Sequence, residues 1–127
     1  MNPSCARRRA AALAVAVLVL AVAAAASGHA VLVRSSPQNR AVLSQPPARV
    51  ELVFNERIEP AYSRLVVENA AGAPVTQGNG SVDPEDARKV AVTLGPLPAG
   101  RYTVRYRVLS VDGHIVESQL TFTVRDR

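Results

Sequence analysis

The 127-residue chain contains two histidines, His29 and His114, and both stand in company that suits a metal ion. His114 closes the run Ser110-Val111-Asp112-Gly113-His114. In an extended segment, residues i and i+2 project to one side, so Asp112 and His114 could hold one ion between them while Gly113 permits a tight bend. Asp-Gly is also a strong hairpin-turn signal, and a turn alone would account for the dipeptide. His29 follows Ala26-Ser27-Gly28; as a first residue it would offer two nitrogens at once, its α-amine and its imidazole. Together with Asp112 and His114 it would make a set of three nitrogens and one oxygen. Such a set favours Cu(II) in tetragonal geometry, with zinc the main competitor and lower in the affinity order. Sulfur is confined to Met1 and Cys5. The soft ligands that Cu(I) prefers are therefore missing after residue 28, and one Cu(II) ion with no methionine Cu(I) site is expected.

Whether His29 begins the working protein depends on residues 1–28, which read as a secretory signal peptide. Arg7, Arg8 and Arg9 form a charged head, and from Ala10 to Ala26 the chain holds only Ala, Val and Leu before the small residues Ser27 and Gly28. This apolar run is shorter than the ~20 residues of a bilayer-spanning helix, so export with cleavage after Gly28 is expected, placing the domain at 29–127 in the periplasm or another extracytoplasmic space. The rival cuts fall after Ala26, which leaves two extra residues, and after Ala30, which deletes His29. Cys5 precedes the apolar run and so is no lipid anchor.

Three of the fifteen basic residues and none of the ten acidic ones lie in that segment, leaving a net charge of +2. No basic block remains to suggest nucleic-acid binding. After processing, no apolar span is left to cross a membrane. Enzyme signatures are also missing: there is no G-x-S-x-G, no H-E-x-x-H, no phosphate-binding glycine loop and no Cys-x-x-Cys. A non-enzymatic role is expected.

The elements that must position these residues read as strands. Val50, Leu52 and Phe54 alternate with Glu51 and Val53; Leu65 and Val67 with Arg64 and Glu68; Val90, Val92 and Leu94 follow the same rule. Tyr102, Val104, Tyr106 and Val108 share one face, and so do Leu120, Phe122 and Val124. Breaks fall at Ser36-Pro37, Gln45-Pro46-Pro47, Glu59-Pro60, Ala71 to Pro74 and Gly95 to Gly100, and the polar stretch Gly78 to Ala87 reads as a solvated turn. About seven short strands in ~100 residues point to an all-β, immunoglobulin-like Greek-key sandwich or small barrel, with no disulfide to support it.

The segments His29-Ala30-Val31-Leu32, Ser36-Pro37, Val50 to Glu56, Leu97 to Tyr106 and Ser110 to His114 together resemble the CopC family of copper resistance proteins, in order and over nearly all of 29–127. The resemblance implies a small periplasmic β-barrel that buffers or delivers copper, often beside an inner-membrane partner of the CopD type. It places the Cu(II) ligands on His29, Asp112 and His114, and sets Glu56 at an acidic position beside the site, as a hydrogen-bond acceptor for the amine or an imidazole. Tyr106 stands where the family often has Trp, and Glu117 where glycine is common; neither removes a ligand. The methionine- and histidine-rich stretch of two-site members is missing. Two other functions are compatible with the residues: a metal-free immunoglobulin-like interaction module, and a copper oxidase built on a histidine brace.

Overall fold

The computed structural model describes residues 30–126, and within them eight strands form two four-stranded sheets. The strands are β1 (Leu32–Ser36), β2 (Ala41–Leu43), β3 (Arg49–Phe54), β4 (Arg64–Glu68), β5 (Thr76–Asp83), β6 (Asp86–Leu94), β7 (Gly100–Leu109) and β8 (Ile115–Val124). A single 3-10 turn, Pro60–Tyr62, lies between β3 and β4. The first sheet has the order β1-β3-β6-β5 and the second β2-β8-β7-β4; all pairings are antiparallel except β2 with β8. The fold is an all-β sandwich, as the alternation requires.

Each strand read from its alternation buries the face expected of it. Val50, Leu52 and Phe54 from β3, Val90, Val92 and Leu94 from β6, and Leu65 and Val67 from β4 meet Tyr102, Val104, Tyr106 and Val108 of β7 and Leu120, Phe122 and Val124 of β8 in one core. Tyr102 stacks on Phe122 with ring centroids 5.3 Å apart, and Phe54 meets Tyr106 edge-on at 5.7 Å. Both separations are within the favourable range for aromatic pairs.

Two departures from the sequence reading concern strands without alternation. The stretch Gly78 to Ala87 is no simple turn: β5 runs through it to Asp83, and only Pro84 and Glu85 bridge to β6. Its pairing with β6 is interrupted between Gln77 and Ser81, where Gly78 and Gly80 both adopt positive φ. Glycine at those points disguises a strand as a loop, because it supplies neither pattern nor β propensity. The second departure is β1 and β2, whose short lengths and irregular faces give no period-2 signal.

Candidate metal centre

Asp112 and His114 lie in the turn that joins β7 to β8, the longest antiparallel pair among the described residues, which is in register from Gly100↔Val124 to Leu109↔Ile115. The turn closes through two backbone hydrogen bonds, Ser110 N to His114 O at 2.9 Å and Gly113 N to Ser110 O at 2.9 Å, with Gly113 at φ 92°. The segment is therefore bent where an extended chain was expected. The bend still brings the two side chains together: His114 Nδ1 is 3.1 Å from Asp112 Oδ1. The turn reading of Asp112-Gly113 and the same-side placement of Asp112 and His114 are both correct, and the turn is the cause of the placement.

Asp112 Oδ1 is the focus of the loop. It accepts the Ser110 hydroxyl and the His114 backbone N–H, the latter at 3.2 Å. These donors, the Ser110 hydroxyl above all and then His114, hold the carboxyl at about 2, below its ordinary 3.8, against a smaller opposing effect of burial. Asp112 is thus a fixed negative charge beside an imidazole, and both remain partly open to solvent, at 31% and 49% side-chain exposure. Ser110 itself is buried, 1% exposed, so the hydroxyl that orients the carboxylate cannot turn to water.

A three-residue bracket after β3 ties this turn to the start of the described chain. Asn55 bonds the backbone of Val31 twice, Val31 N to Asn55 Oδ1 at 2.6 Å and Asn55 N to Val31 O at 3.0 Å. Two residues on, Arg57 O accepts Val111 N at 3.0 Å, and Ile58 pairs with Ser110 as an isolated bridge. Residues two apart in a chain are separated by at most roughly 7 Å, so Val31 and Val111 are anchored to neighbouring points of one short segment. Ala30, next in line toward the N-terminus, is buried in the core at 3% exposure. His29 lies outside the described residues, and among those residues no three His, Cys, Asp or Glu side chains gather into a cluster.

Between the two anchors of the bracket sits Glu56, half-buried, with Oε2 shielded from solvent and lacking a hydrogen-bond donor among the described residues. A buried carboxylate oxygen without a donor is costly, so the position calls for a nearby N–H or cation. The family resemblance singled out Glu56, which the structure places between the two anchors of the bracket, and sequence reasoning assigned no role to Asn55. The signal was there in part: an Asx residue just past a strand end is a frequent backbone acceptor, but its partner 24 residues away is set by tertiary structure.

Comparison with known proteins places this geometry in context. Residues 32–125 match the CopC domain. The chain is 31% identical over 97 residues to the copper transport protein CutJ of Bacillus subtilis, a match that covers 76% of this chain and 18% of that much longer protein. It is 32% identical over 103 residues to copper resistance protein C of Xanthomonas campestris pv. juglandis, covering 76% of this chain and 80% of the relative. Among solved structures it superposes on CopC from Methylosinus trichosporium OB3b with a TM-score of 0.71 at 35% identity, over 76% of this chain and 93% of that one. PcoC, a methionine-rich copper resistance protein from Escherichia coli, superposes with a TM-score of 0.68 at 27% identity, over 77% and 100%.

Proposed function

Because the chain belongs to the CopC family, we propose that it binds one Cu(II) ion and buffers or delivers it outside the cytoplasm. The bracket Asn55-Glu56-Arg57 carries this reading, since Asn55 holds Val31, two residues after His29, while Arg57 holds Val111 of the turn that bears Asp112 and His114. With cleavage after Gly28, the α-amine and imidazole of His29 would be one covalent step from a buried, anchored Ala30. Asp112 and His114 would complete the set, and Glu56 Oε2 would receive the donor it lacks from the amine or imidazole beside it. Oδ1 of Asp112 is taken up inside the turn, so Oδ2 is the oxygen assigned to the metal.

The ion is cargo in this reading, and the protein's part is to hold it. The anionic oxygen and three nitrogens suit Cu(II), and the only sulfur residues, Met1 and Cys5, fall in the proposed signal peptide. A carboxylate in the set stabilises Cu(II) against reduction, which favours a carrier over an oxidase. The recipient or donor would be a membrane protein of the CopD type; among the described residues no helix is long and apolar enough to cross a bilayer.

The test is the intact mass of the exported protein under native conditions, with and without one equivalent of Cu(II). A mass starting at His29 that gains one copper, and loses it in the Asp112→Ala/His114→Ala variant, is the expected result. A different first residue with no copper retained, or full affinity in the double variant, would overturn the assignment.

A further inference from the structure

The outer face of the second sheet carries an arginine pair that makes no ion pair among the described residues. Arg64 of β4 and Arg107 of β7 are directly opposed across the ladder, and Arg107 is in turn opposite Glu117 of β8. One row further from the metal turn, Arg105 is satisfied: its Nε bonds Glu68 Oε2 at 3.0 Å and its Nη1 bonds Gln119 Oε1 at 2.8 Å. Arg64 and Arg107 have no ion-pair partner among the described residues, not even Glu117. Like charges placed directly opposite on an antiparallel pair disfavour the fold, so this row costs stability that the neighbouring row does not. Both rows line a groove of about 490 Å³. Its arginine end lies two residues from Leu109 and Ile115, where the strands enter the Asp112 turn.

We propose that Arg64 and Arg107 form a docking point for one carboxylate side chain, flanked by neutral or basic residues, on the protein with which this one exchanges copper. Two guanidinium groups present planar forks that match carboxylate oxygens, and an incoming carboxylate neutralises the repulsion between them. The two glutamates of the same groove, Glu68 and Glu117, would repel a continuous polyanion such as a nucleic acid or an anionic bilayer. A single acidic side chain flanked by neutral or basic residues meets no such opposition. Docking there would put the partner beside the turn that bears Asp112 and His114. The partner's role in copper exchange rests on the function proposed above; the docking geometry does not.

The experiment uses the 15N-labelled protein and two capped pentapeptides of otherwise neutral residues, one with a single glutamate at its third position and one with glutamine there. The glutamate peptide is expected to shift the amides of Arg64, Arg107 and Glu117. Its affinity should fall at least tenfold in the Arg64→Gln/Arg107→Gln variant and by an intermediate amount in Arg64→Lys/Arg107→Lys, which keeps the charge without the fork. Arg34→Gln, on the other sheet, should change nothing. Because a repulsive pair is removed, the glutamine variant should melt no lower than the parent, and its Cu(II) affinity should be unchanged. The proposal is overturned if the glutamine peptide binds equally well, if shifts persist in the double variant, or if vesicles with anionic headgroups bind at this face more tightly than the peptide. Self-association abolished by the double variant would also overturn it, by making a second copy the occupant. Failure of the parent protein to bind Cu(II) would instead sink the copper reading and leave the peptide result to stand or fall alone.

Discussion

Ser110 decides how Asp112 behaves. Its buried hydroxyl is the largest cause of the low carboxyl value, about 2 against an ordinary 3.8. A carboxyl with a depressed folded value contributes stability that is complete above 3.8 and is lost as pH falls through about 2. Asp112 is consequently ionised across mildly acidic conditions, so in the proposed site its protonation would not release copper above about pH 4. Ser110→Ala should raise the Asp112 midpoint toward 3.8 in a carboxyl 13C titration; an unmoved midpoint would transfer the effect to His114. Asn55 acts at the other anchor of the bracket, on the backbone of Val31. Asn55→Ala removes the 2.6 Å bond to Val31 N, a loss of about 0.5–1.5 kcal/mol. If that bond preorganises the N-terminal chelate, Cu(II) affinity should drop up to about tenfold in competition with a chromophoric chelator, while the circular dichroism of the fold is retained. An affinity equal to the parent's would separate the bracket from metal binding. In the sequence, Asp112 and His114 are legible because their spacing is local. The roles of Asn55 and Ser110 depend on partners brought in by folding and on burial, and neither leaves a pattern in the neighbouring residues.

At the level of elements, the strands that were legible are those with one wet and one dry face. In β7, Arg101, Thr103, Arg105 and Arg107 face out while Tyr102, Val104, Tyr106 and Val108 face in, and this period of two can be read directly. Strand β5 was hidden because its middle is Gly78-Asn79-Gly80. The structure explains the second glycine: a Cβ at position 80 would come within 2.9 Å of Leu65 Cβ and 3.2 Å of Ala91 O. Here β5 folds over β4 and closes one side of the sandwich, so the residue must be small and must accept φ +76°. Gly80→Val should therefore destabilise the protein by ~1–3 kcal/mol through overpacking, with further cost from the backbone. The urea midpoint checks this, and a midpoint within error of the parent would show that β5 can move aside. The β7–β8 hairpin is the opposite case. The alternation of Tyr102 to Val108 and of Leu120 to Val124 was readable from pattern and the turn from Asp112-Gly113, while the pairing of the two strands and the half of β8 from Ile115 to Gln119 came only with the structure.

For the whole molecule, the core is built from both sheets without help from the Asp112 turn, since the buried residues from Val50 to Val124 are strand and loop apolar side chains and the candidate ligands Asp112 and His114 lie outside it. Removal of copper with a chelator should leave the far-ultraviolet spectrum unchanged and lower the melting midpoint only by the binding linkage, which vanishes when free copper is far below Kd. Collapse of the fold on chelation would mean instead that the ion organises the sandwich, as structural zinc does in small domains. The two sheets also give the molecule two distinct ends. β8 leaves the Asp112 turn at Ile115 and runs ten residues to Val124, a distance of roughly 33 Å, so Asp126 emerges on the far side of the sandwich from His114. For anyone handling this domain, that polarity is a practical instruction. A surface linker, dye or affinity handle joined beyond Asp126 would leave the turn facing the solution and turn the protein into an oriented copper probe on a chip, whereas the same handle joined ahead of residue 29 would occupy the amine on which the proposed chelate depends.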